Sequence, residues 1–487
     1  MKRVVTYIFA FTVLANVSFA QNEFDVLRYS TLDHHGDARF NAMGGSFGAL
    51  GANLSALSIN PGGLGVYKSS DFSFTPAFHY NYSESNKDRN SVTDGKLNFH
   101  VSNIGFAGNF AGSGDWKSVN IAIGYNRLSN YNTSISIKSN TSNSLLDTYV
   151  SNLNSNGGTY EEDIPAAFPF SSNLAYQTYL VNPLAPYSSQ YDHVFEKSTN
   201  ISQSTRYDTR GGSGEMYFAL GANYSDKLYI GALIGVPKVR YVYDRDYTET
   251  ADPSDTLTEF KSFSVHDFVK TTGTGLNLKL GMIYKLTDWF RIGTAFHTPT
   301  VYSLSDQWST TVSSEDKAGE VLTEVSPSGN FEYIVTTPYR FVSSAAFIIG
   351  RYGVINGDYE IVDYSTARIK EDNTFGSADF SNENKSVRNN FRLTQNIRVG
   401  TEWRLDPFRL RAGYRFQGDP LKNNFNVDNS SSTYSFGIGI KQDDYYFDMG
   451  YSLKSHKAES VILGEQNDFA SVDLKDHYIS MTLGFRF

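Results

Sequence analysis

The chain has 487 residues, no cysteine and a formal net charge of −9. Without cysteine there is no disulfide framework, thiolate metal site or cysteine nucleophile, and an acidic chain lacking a basic block is a poor nucleic-acid binder. Its mean hydropathy of −0.37 is too polar for a bundle of membrane helices, yet aromatics reach 15%, with 33 Tyr and 35 Phe, the residue types that girdle membrane barrels.

The N-terminus reads as a secretory signal over 1–20. Lys2 and Arg3 precede an apolar run from Val4 to Val17, too short to span a bilayer, and Ser18-Phe19-Ala20 is a small-x-small cleavage site. The mature chain is expected to start at Gln21, with no cysteine there to carry a lipid. A segment without alternation follows over 21–66. It is rich in Gly, Ala, Ser and Asn, and it carries Asp25, Arg28, Asp33, His34, His35, Asp37 and Arg39.

From residue 67 the pattern changes to period two, the signature of β-strands. Fourteen such segments are expected. The first, near Ser70–Ser83, puts Phe72, Phe74, Phe78, Tyr80 and Tyr82 in phase and contains Pro76, which cannot donate to a ladder. In the second, near Lys96–Ala111, Leu97, Phe99 and Val101 are odd but Ile104, Phe106 and Phe110 are even. A bulge is therefore expected near Ser102-Asn103. The third, near Lys117–Ile137, shifts phase at Asn126-Arg127. Pro76, Ser102, Asn103, Asn126 and Arg127 mark either ordinary barrel curvature or a side opening in the wall.

Strands four to seven carry the runs Met216–Tyr224, Leu228–Val236, Leu276–Tyr284 and Phe290–Phe296. Strands eight and nine flank Gly350-Arg351-Tyr352-Gly353, and ten to thirteen carry Phe391–Val399, Phe408–Phe416, Tyr434–Ile440 and Tyr445–Tyr451. In the last, Ile479, Met481, Leu483, Phe485 and Phe487 share one face, opposite Tyr478, Ser480, Thr482, Gly484 and Arg486. An apolar face against a small and polar one suits lipid on one side and a wet lumen on the other. The terminal Phe487 is the kind of end that barrel-assembly machinery reads.

Short turns near 112–116, 225–227, 287–288, 351–352, 406–407 and 442–444 alternate with long loops at 84–95, 138–213, 248–269, 303–330, 370–386, 418–431 and 454–472. That asymmetry is expected of short periplasmic turns and long external loops. The fold class is thus all-β, a 14-stranded antiparallel transmembrane β-barrel over 67–487. The largest loop, 138–213, holds Leu145, Leu146, Tyr149, Val150 and Leu153 at helical spacing. With this much apolar surface it should fold over the barrel mouth. It either packs on itself as a lid or docks a ligand at Leu146, Tyr149, Phe168, Phe170, Tyr176 and Tyr179.

If the apolar phase faces lipid, Arg392, Arg398, Glu402, Arg409, Arg411, Arg415, Asp358, Glu360 and Asp448 face the lumen, with Lys279 and Arg291. Such charges pair with one another or with a plug. The sharper reading is that Arg398, Arg409 or Arg411 meets an anionic head group as a bidentate donor. Nothing resembles a nucleophile elbow or a phosphate loop, so no catalytic residues are expected. Adjacent His34 and His35 diverge in extended chain, so neither a metal nor another cofactor is expected.

One stretch is more specific. Ala42-Met43-Gly44-Gly45, then Phe47 and Ala49, Ser55-Ala56-Leu57 and Asn60-Pro61-Gly62-Gly63-Leu64 resemble the N-terminal hatch of the FadL/TodX family. These are outer-membrane transporters of long-chain fatty acids and other hydrophobic compounds. Leu410-Arg411-Ala412-Gly413-Tyr414, Asp448-Met449-Gly450-Tyr451 and the C-terminus fit the same family. The family's Asn-Pro-Ala-Gly is Asn-Pro-Gly-Gly here, and its paired acids before Ser-Ala-Leu are replaced by Ala52-Asn53-Leu54. The resemblance implies a hatch over 21–66 plugging the lumen, with Gly44, Gly45, Asn60, Pro61, Gly62 and Gly63 as its motif. It also implies docking of a fatty acid or similar hydrophobic molecule at the external loops, an apolar pocket above the hatch, and sideways exit at a kinked third strand. The chain would be a passive, monomeric transporter in a Gram-negative outer membrane, with membrane lipids and the assembly machinery as partners. Two rivals are a surface-structural barrel whose loops engage a partner, and a haem receptor. A continuous apolar pocket between loop 138–213 and the hatch would favour transport. A lumen filled by charged pairs would count against it.

Overall fold

The computed structural model describes residues 23–87, 90–195, 200–255, 258–372, 379–422, 428–461 and 469–487; the signal segment 1–20 lies outside them. Where polar and apolar residues alternate, the chain forms strands, and these close on themselves as the expected barrel. In chain order they are β1 (Asp71–Lys87), β2 (Asn90–Ala111), β3 (Trp116–Asn130, resumed at Thr133–Thr141), β4 (Ile201–Tyr224) and β5 (Leu228–Ala251). Next come β6 (Phe260–Lys285), β7 (Phe290–His297, resumed at Val301–Asp316), β8 (Gly329–Thr336, resumed at Arg340–Ile349), β9 (Gly353–Asp363, resumed at Arg368–Glu371) and β10 (Leu393–Leu405). The last are β11 (Phe408–Gln417), β12 (Ser431–Gln442), β13 (Tyr445–Val461) and β14 (Phe469–Arg486). Each bonds its sequence neighbour antiparallel, and β14 pairs with β1 from Asp71↔Arg486 to Asn86↔Ser471, which removes the sheet edges.

The two phases separate as a membrane wall requires. On β6, Leu276, Leu278, Leu280, Met282 and Tyr284 are exposed outward, while Asn277, Lys279 and Ile283 are buried inward. No described helix is long and apolar enough to cross a membrane, so the crossing is made by strands.

Several segments expected as loops are ladder instead. The β1–β2 hairpin stays paired to Lys87↔Asn90, β5–β6 to Thr250↔Ser262, and β13–β14 to Val461↔Phe469. Likewise β7 runs to Asp316, through most of the first half of loop 303–330. The cause is physical. Above the membrane the outward face no longer needs apolar residues, so alternation fades while the backbone bonds continue.

Inside the barrel lies the segment before β1. It forms α1 (Glu23–Ser30), α2 (Ala38–Ala42) and two 3₁₀ turns, Ser55–Ser58 and Pro61–Val66. Its core is shared with the wall. Phe40, Met43, Phe47, Leu50 and Ile59 pack on Ala295, Val342, Ala346 and Val354. Leu54, Leu57 and Leu64 pack on Ala107, Ala122, Tyr217 and Leu233.

Candidate functional site: the plugged lumen and its seam

The hatch motif is a set of backbone contacts. Asp37 caps α2 by accepting from the Phe40 amide at 2.8 Å, as short polar side chains do at helix starts. Asn53, which stands in the stretch where the family carries acids, donates to Asp37 Oδ2 at 2.7 Å and accepts from the Ala56 amide at 2.9 Å. Asn60 accepts from the Gly62 amide (2.9 Å) and donates to the carbonyls of Gly48 (2.6 Å) and Met282 (3.0 Å). Pro61 opens the 3₁₀ turn, where its missing N–H is no loss. Gly44 and Gly45 sit at φ of 64° and 76°, the left-handed region that glycine adopts freely.

The wall answers with glycines of its own, which the sequence reading missed. A Cβ on Gly231 would lie 2.1 Å from the Pro61 carbonyl oxygen, and one on Gly281 2.0 Å from Asn60 Oδ1. One on Gly293 would lie 2.2 Å from the Gly48 oxygen, and one on Gly413 2.2 Å from the Met43 carbonyl carbon. A Cβ on Gly221, Gly400, Gly437 or Gly450 would lie 2.8, 2.4, 2.5 or 2.7 Å from Leu64, Met43, Ala42 or Ala38 respectively. Eight strands from β4 to β13 thus each give up a side chain so that hatch backbone lies on wall backbone. The signal was present: glycines in the lumen phase of strands mark close backbone approach.

The lumen charges are consumed by one another and by the hatch. Glu360 accepts from Arg398 (2.6 Å) and Arg340 (3.0 Å). Glu402 holds Arg39 and Arg411, each at 2.7 Å, and Asp448 holds Arg411 at 2.6 Å. Asp358 accepts from the Phe47 and Gly48 amides at 3.0 and 3.1 Å. Lys279 pairs with buried Glu215 at 2.6 Å. Of the three arginines singled out for a head group, Arg398 is 2% exposed, Arg411 pairs with two carboxylates, and Arg409 pairs with Asp406 at the short-turn rim. Farther up, Asp33 pairs with Lys454 at 2.6 Å. Burial pushes its carboxyl up, but Lys454 and Arg415 more than reverse this and hold it below the usual carboxylate range.

The seam from β14 through β1 and β2 to β3 is built differently. Pro76 and Thr75 have no ladder partners on β14. Between β1 and β2 the register slips at Thr75/Pro76, leaving Ser102 as the extra residue. That is where the phase of β2 changes. The β2–β3 ladder ends at Asn103↔Asn126; above it, among the described residues, Asn90–Ser102 of β2 pairs with β1 alone. Asn103 donates to Asn126 Oδ1 at 2.7 Å, and Asn126 donates to Ser58 of the hatch at 2.9 Å. Arg127 turns to the carbonyls of Ser129 and Gly211. The carbonyl of Leu128, free of β2, accepts from the hatch amides of Asp33 and His34. Behind the gap, Tyr478 donates to Ser102 Oγ at 2.7 Å, and Ser102 donates to the Gly36 carbonyl at 2.7 Å. His35 stacks on Tyr478 with ring centroids 4.4 Å apart. Burial holds His35 well below the ordinary imidazole range, so it is neutral. No cluster of His, Asp or Glu among the described residues has the form of a metal site.

The large loop folds as a lid with its own core. Ser144 and Asp147 make a capping box for α3 (Leu145–Asn154), and short helices follow at Ile164–Ala167 and Ser172–Gln177. Leu146, Tyr149 and Phe168 are buried in this core, together with Tyr247, Phe263, Val265 and Val312 of the wall. Phe170 and Tyr176 are half-buried, and Tyr179 is 61% exposed. Of the six residues considered for docking, three therefore serve packing.

The apolar space above the hatch is occupied by the chain itself. Helix α1 inserts Val26 and Tyr29 among Tyr302, Leu304, Tyr333, Val335 and Ile369. Beside it a cavity of about 20 Å³ remains, bordered by Glu215, Lys279, His297 and Arg340. A larger cavity of about 200 Å³ lies at the short-turn end of the barrel, between hatch and wall, and it is mostly polar. The described residues thus show a plugged lumen of paired charges, rather than the continuous apolar pocket anticipated for an open conduit.

No family model matches the chain, and no curated protein does. Solved structures do. A FadL homologue from Pseudomonas aeruginosa aligns at 11% identity over 93% of this chain and 98% of its own, with a TM-score of 0.54. The toluene transporter TodX from P. putida aligns at 13% identity over 93% and 99%, with a TM-score of 0.52. The monoaromatic hydrocarbon channel CymD aligns at 11% over 94% and 98%, with a TM-score of 0.50. At such identities the likeness is one of architecture: the chain is a fourteen-stranded transmembrane barrel with the FadL/TodX fold.

Proposed function

We propose that this chain is a passive transporter of the FadL/TodX family in a Gram-negative outer membrane, admitting long-chain fatty acids or similar hydrophobic molecules. The observation that carries the reading is the seam: a wall strand, β2, left unpaired on its β3 side above Asn103↔Asn126, beside a lumen closed by a hatch. Unpaired backbone is tolerated at membrane depth only where protein or a cavity covers it. A ligand leaving sideways there would stay in apolar surroundings, whereas passage through water forfeits about 0.8 kcal/mol per CH₂. A lumen filled by paired charges counts against an open conduit, and on this reading the described conformation is a closed one. Val26 and Tyr29 of α1 fill the apolar layer that a ligand would need. Exposed Tyr179 and half-buried Phe170 and Tyr176 are the lid residues open to first contact.

The test is uptake of a labelled fatty acid and of labelled toluene by cells expressing the chain. Deleting Ser102 restores one continuous β1–β2 register and is expected to abolish uptake while the barrel still folds. Undiminished uptake would rule out release through the seam. Deleting Asn60–Gly63 tests the hatch; equal uptake in both forms would remove its gating role.

A further inference from the structure

The cavity of about 200 Å³ beneath the hatch has an excess of cations that its own carboxylates do not neutralise. Six basic side chains border it (Arg39, Arg404, Arg409, Arg411, Lys441 and Arg486) against four acids, Asp37, Asp71, Glu402 and Asp448. The acids are already committed. Glu402 is held by Arg39 and Arg411, and Asp448 by Arg411. Asp37 caps α2 and accepts from Asn53. Asp71 accepts from the Tyr446 hydroxyl at 3.1 Å and stands 3.7 Å from Arg486 Nε.

Three cations are held only loosely: Arg486 stands at 3.7 Å from Asp71, and the other two are weaker still. Arg404 approaches a carboxylate no closer than 4.0 Å, at Glu402 Oε1, which Arg39 already occupies. Lys441 makes no ion pair among the described residues. Arg486 Nε is buried with no hydrogen-bond acceptor. The Arg486 side chain is 31% exposed, but its inaccessible Nε donor is unfavourable unless an acceptor completes it. The three come from β10, β12 and β14, at the ends that short turns hold together, so they surround one space rather than share one element.

We infer that this cavity is an oxyanion-binding site at the periplasmic mouth, taking a carboxylate or phosphate group between Arg404, Lys441 and Arg486. Guanidinium groups favour such oxygens through charge-assisted bonds, and the hatch residues Ala52, Asn53 and Leu54 also line the space. The site is argued from geometry alone and does not depend on the transport reading.

The test is calorimetric titration of the full barrel in lipid nanodiscs with inorganic phosphate and, separately, with butyrate. Wild type is expected to bind at least one of them, with affinity falling as sodium chloride rises. The double variant Arg404→Gln, Lys441→Gln should bind about tenfold more weakly, while Lys441→Arg retains binding. Heat-dependent mobility on gels checks that each variant is folded. Binding of phosphate and butyrate alike identifies a site for free oxyanions; binding of butyrate alone identifies a carboxylate head-group site. Absence of binding of either probe to wild type, or equal binding by the folded double variant, overturns the inference. Uptake of hydrophobic compounds is a separate measurement, so failure here leaves the transporter reading standing and the reverse also holds.

Discussion

From β4 to β13 the hatch lies backbone to backbone on wall glycines, with Arg39 paired to Glu402 and the Ser30 carbonyl accepting from Arg340, itself held in the buried Glu360 pairs of the wall; from β14 to β3 it meets serine, asparagine and histidine across interrupted ladders. The contacts on the first side are hard to break singly, because removing one partner strands a buried charge or leaves a rigid clash. Those on the second side are neutral hydrogen bonds, each worth about 1 kcal/mol. The plug is thus fastened to most of the wall and lightly latched at the seam. An asymmetric attachment of this kind directs motion to one place without requiring the rest of the barrel to yield.

Breaking the fastened side should have the largest effect. Glu360→Gln leaves Arg340 and Arg398 facing each other with a neutral amide and should destabilise the barrel by about 3 to 5 kcal/mol, read as a lower denaturant midpoint of folded-form gel mobility. A variant as stable as wild type would show that these wall pairs do not set the strength of this side. Gly413→Ala should cost about 2 kcal/mol, since its Cβ meets hatch backbone 2.2 Å away and neither strand nor hatch has a flexible side chain to move. An unchanged midpoint there would mean the hatch stands off the wall.

The latched side is expected to be softer. Ser102→Ala removes an acceptor from Tyr478 and a donor from Gly36 and should cost about 1.5 kcal/mol while raising uptake, measured in the same cells as wild type. A loss as large as that of Glu360→Gln would erase the contrast between the two sides. The smallest effect is Asp33→Asn, about 1 kcal/mol, at the charged pair with Lys454 of β13. Because the folded carboxyl is held below its ordinary range, its contribution is complete above the ordinary carboxylate pKa and fades as pH falls through the folded value. The stability gap between Asp33→Asn and wild type should therefore be constant from neutral pH to about pH 4 and narrow in stronger acid. A gap that closes nearer neutrality would assign the effect to another group.

Much of this was legible in the residues. Strand number follows from alternation, and the Ser102 bulge from the change of phase between Val101 and Ile104, because a one-residue insertion is the only way to move an apolar set to the other face. The helical spacing of Leu145, Leu146, Tyr149 and Leu153 gave α3. What stayed hidden was tertiary. Nothing local distinguishes a lumen arginine that meets a ligand from one that, like Arg398, meets Glu360, two residues from its ladder partner Asp358 on the neighbouring strand. Nor does the composition of α1 reveal that Val26 and Tyr29 fill the apolar layer. The lumen glycines were visible but unread, since a missing side chain matters only once its neighbour is known.

The lid has a consequence for engineering. Its core is complete without the tip at 184–188, where Leu184 is 64% and Tyr187 98% exposed. Peptides inserted at such solvent-facing tips disturb few buried contacts, so an epitope placed after Tyr187 should reach antibodies outside intact cells, turning this barrel into a scaffold for surface display.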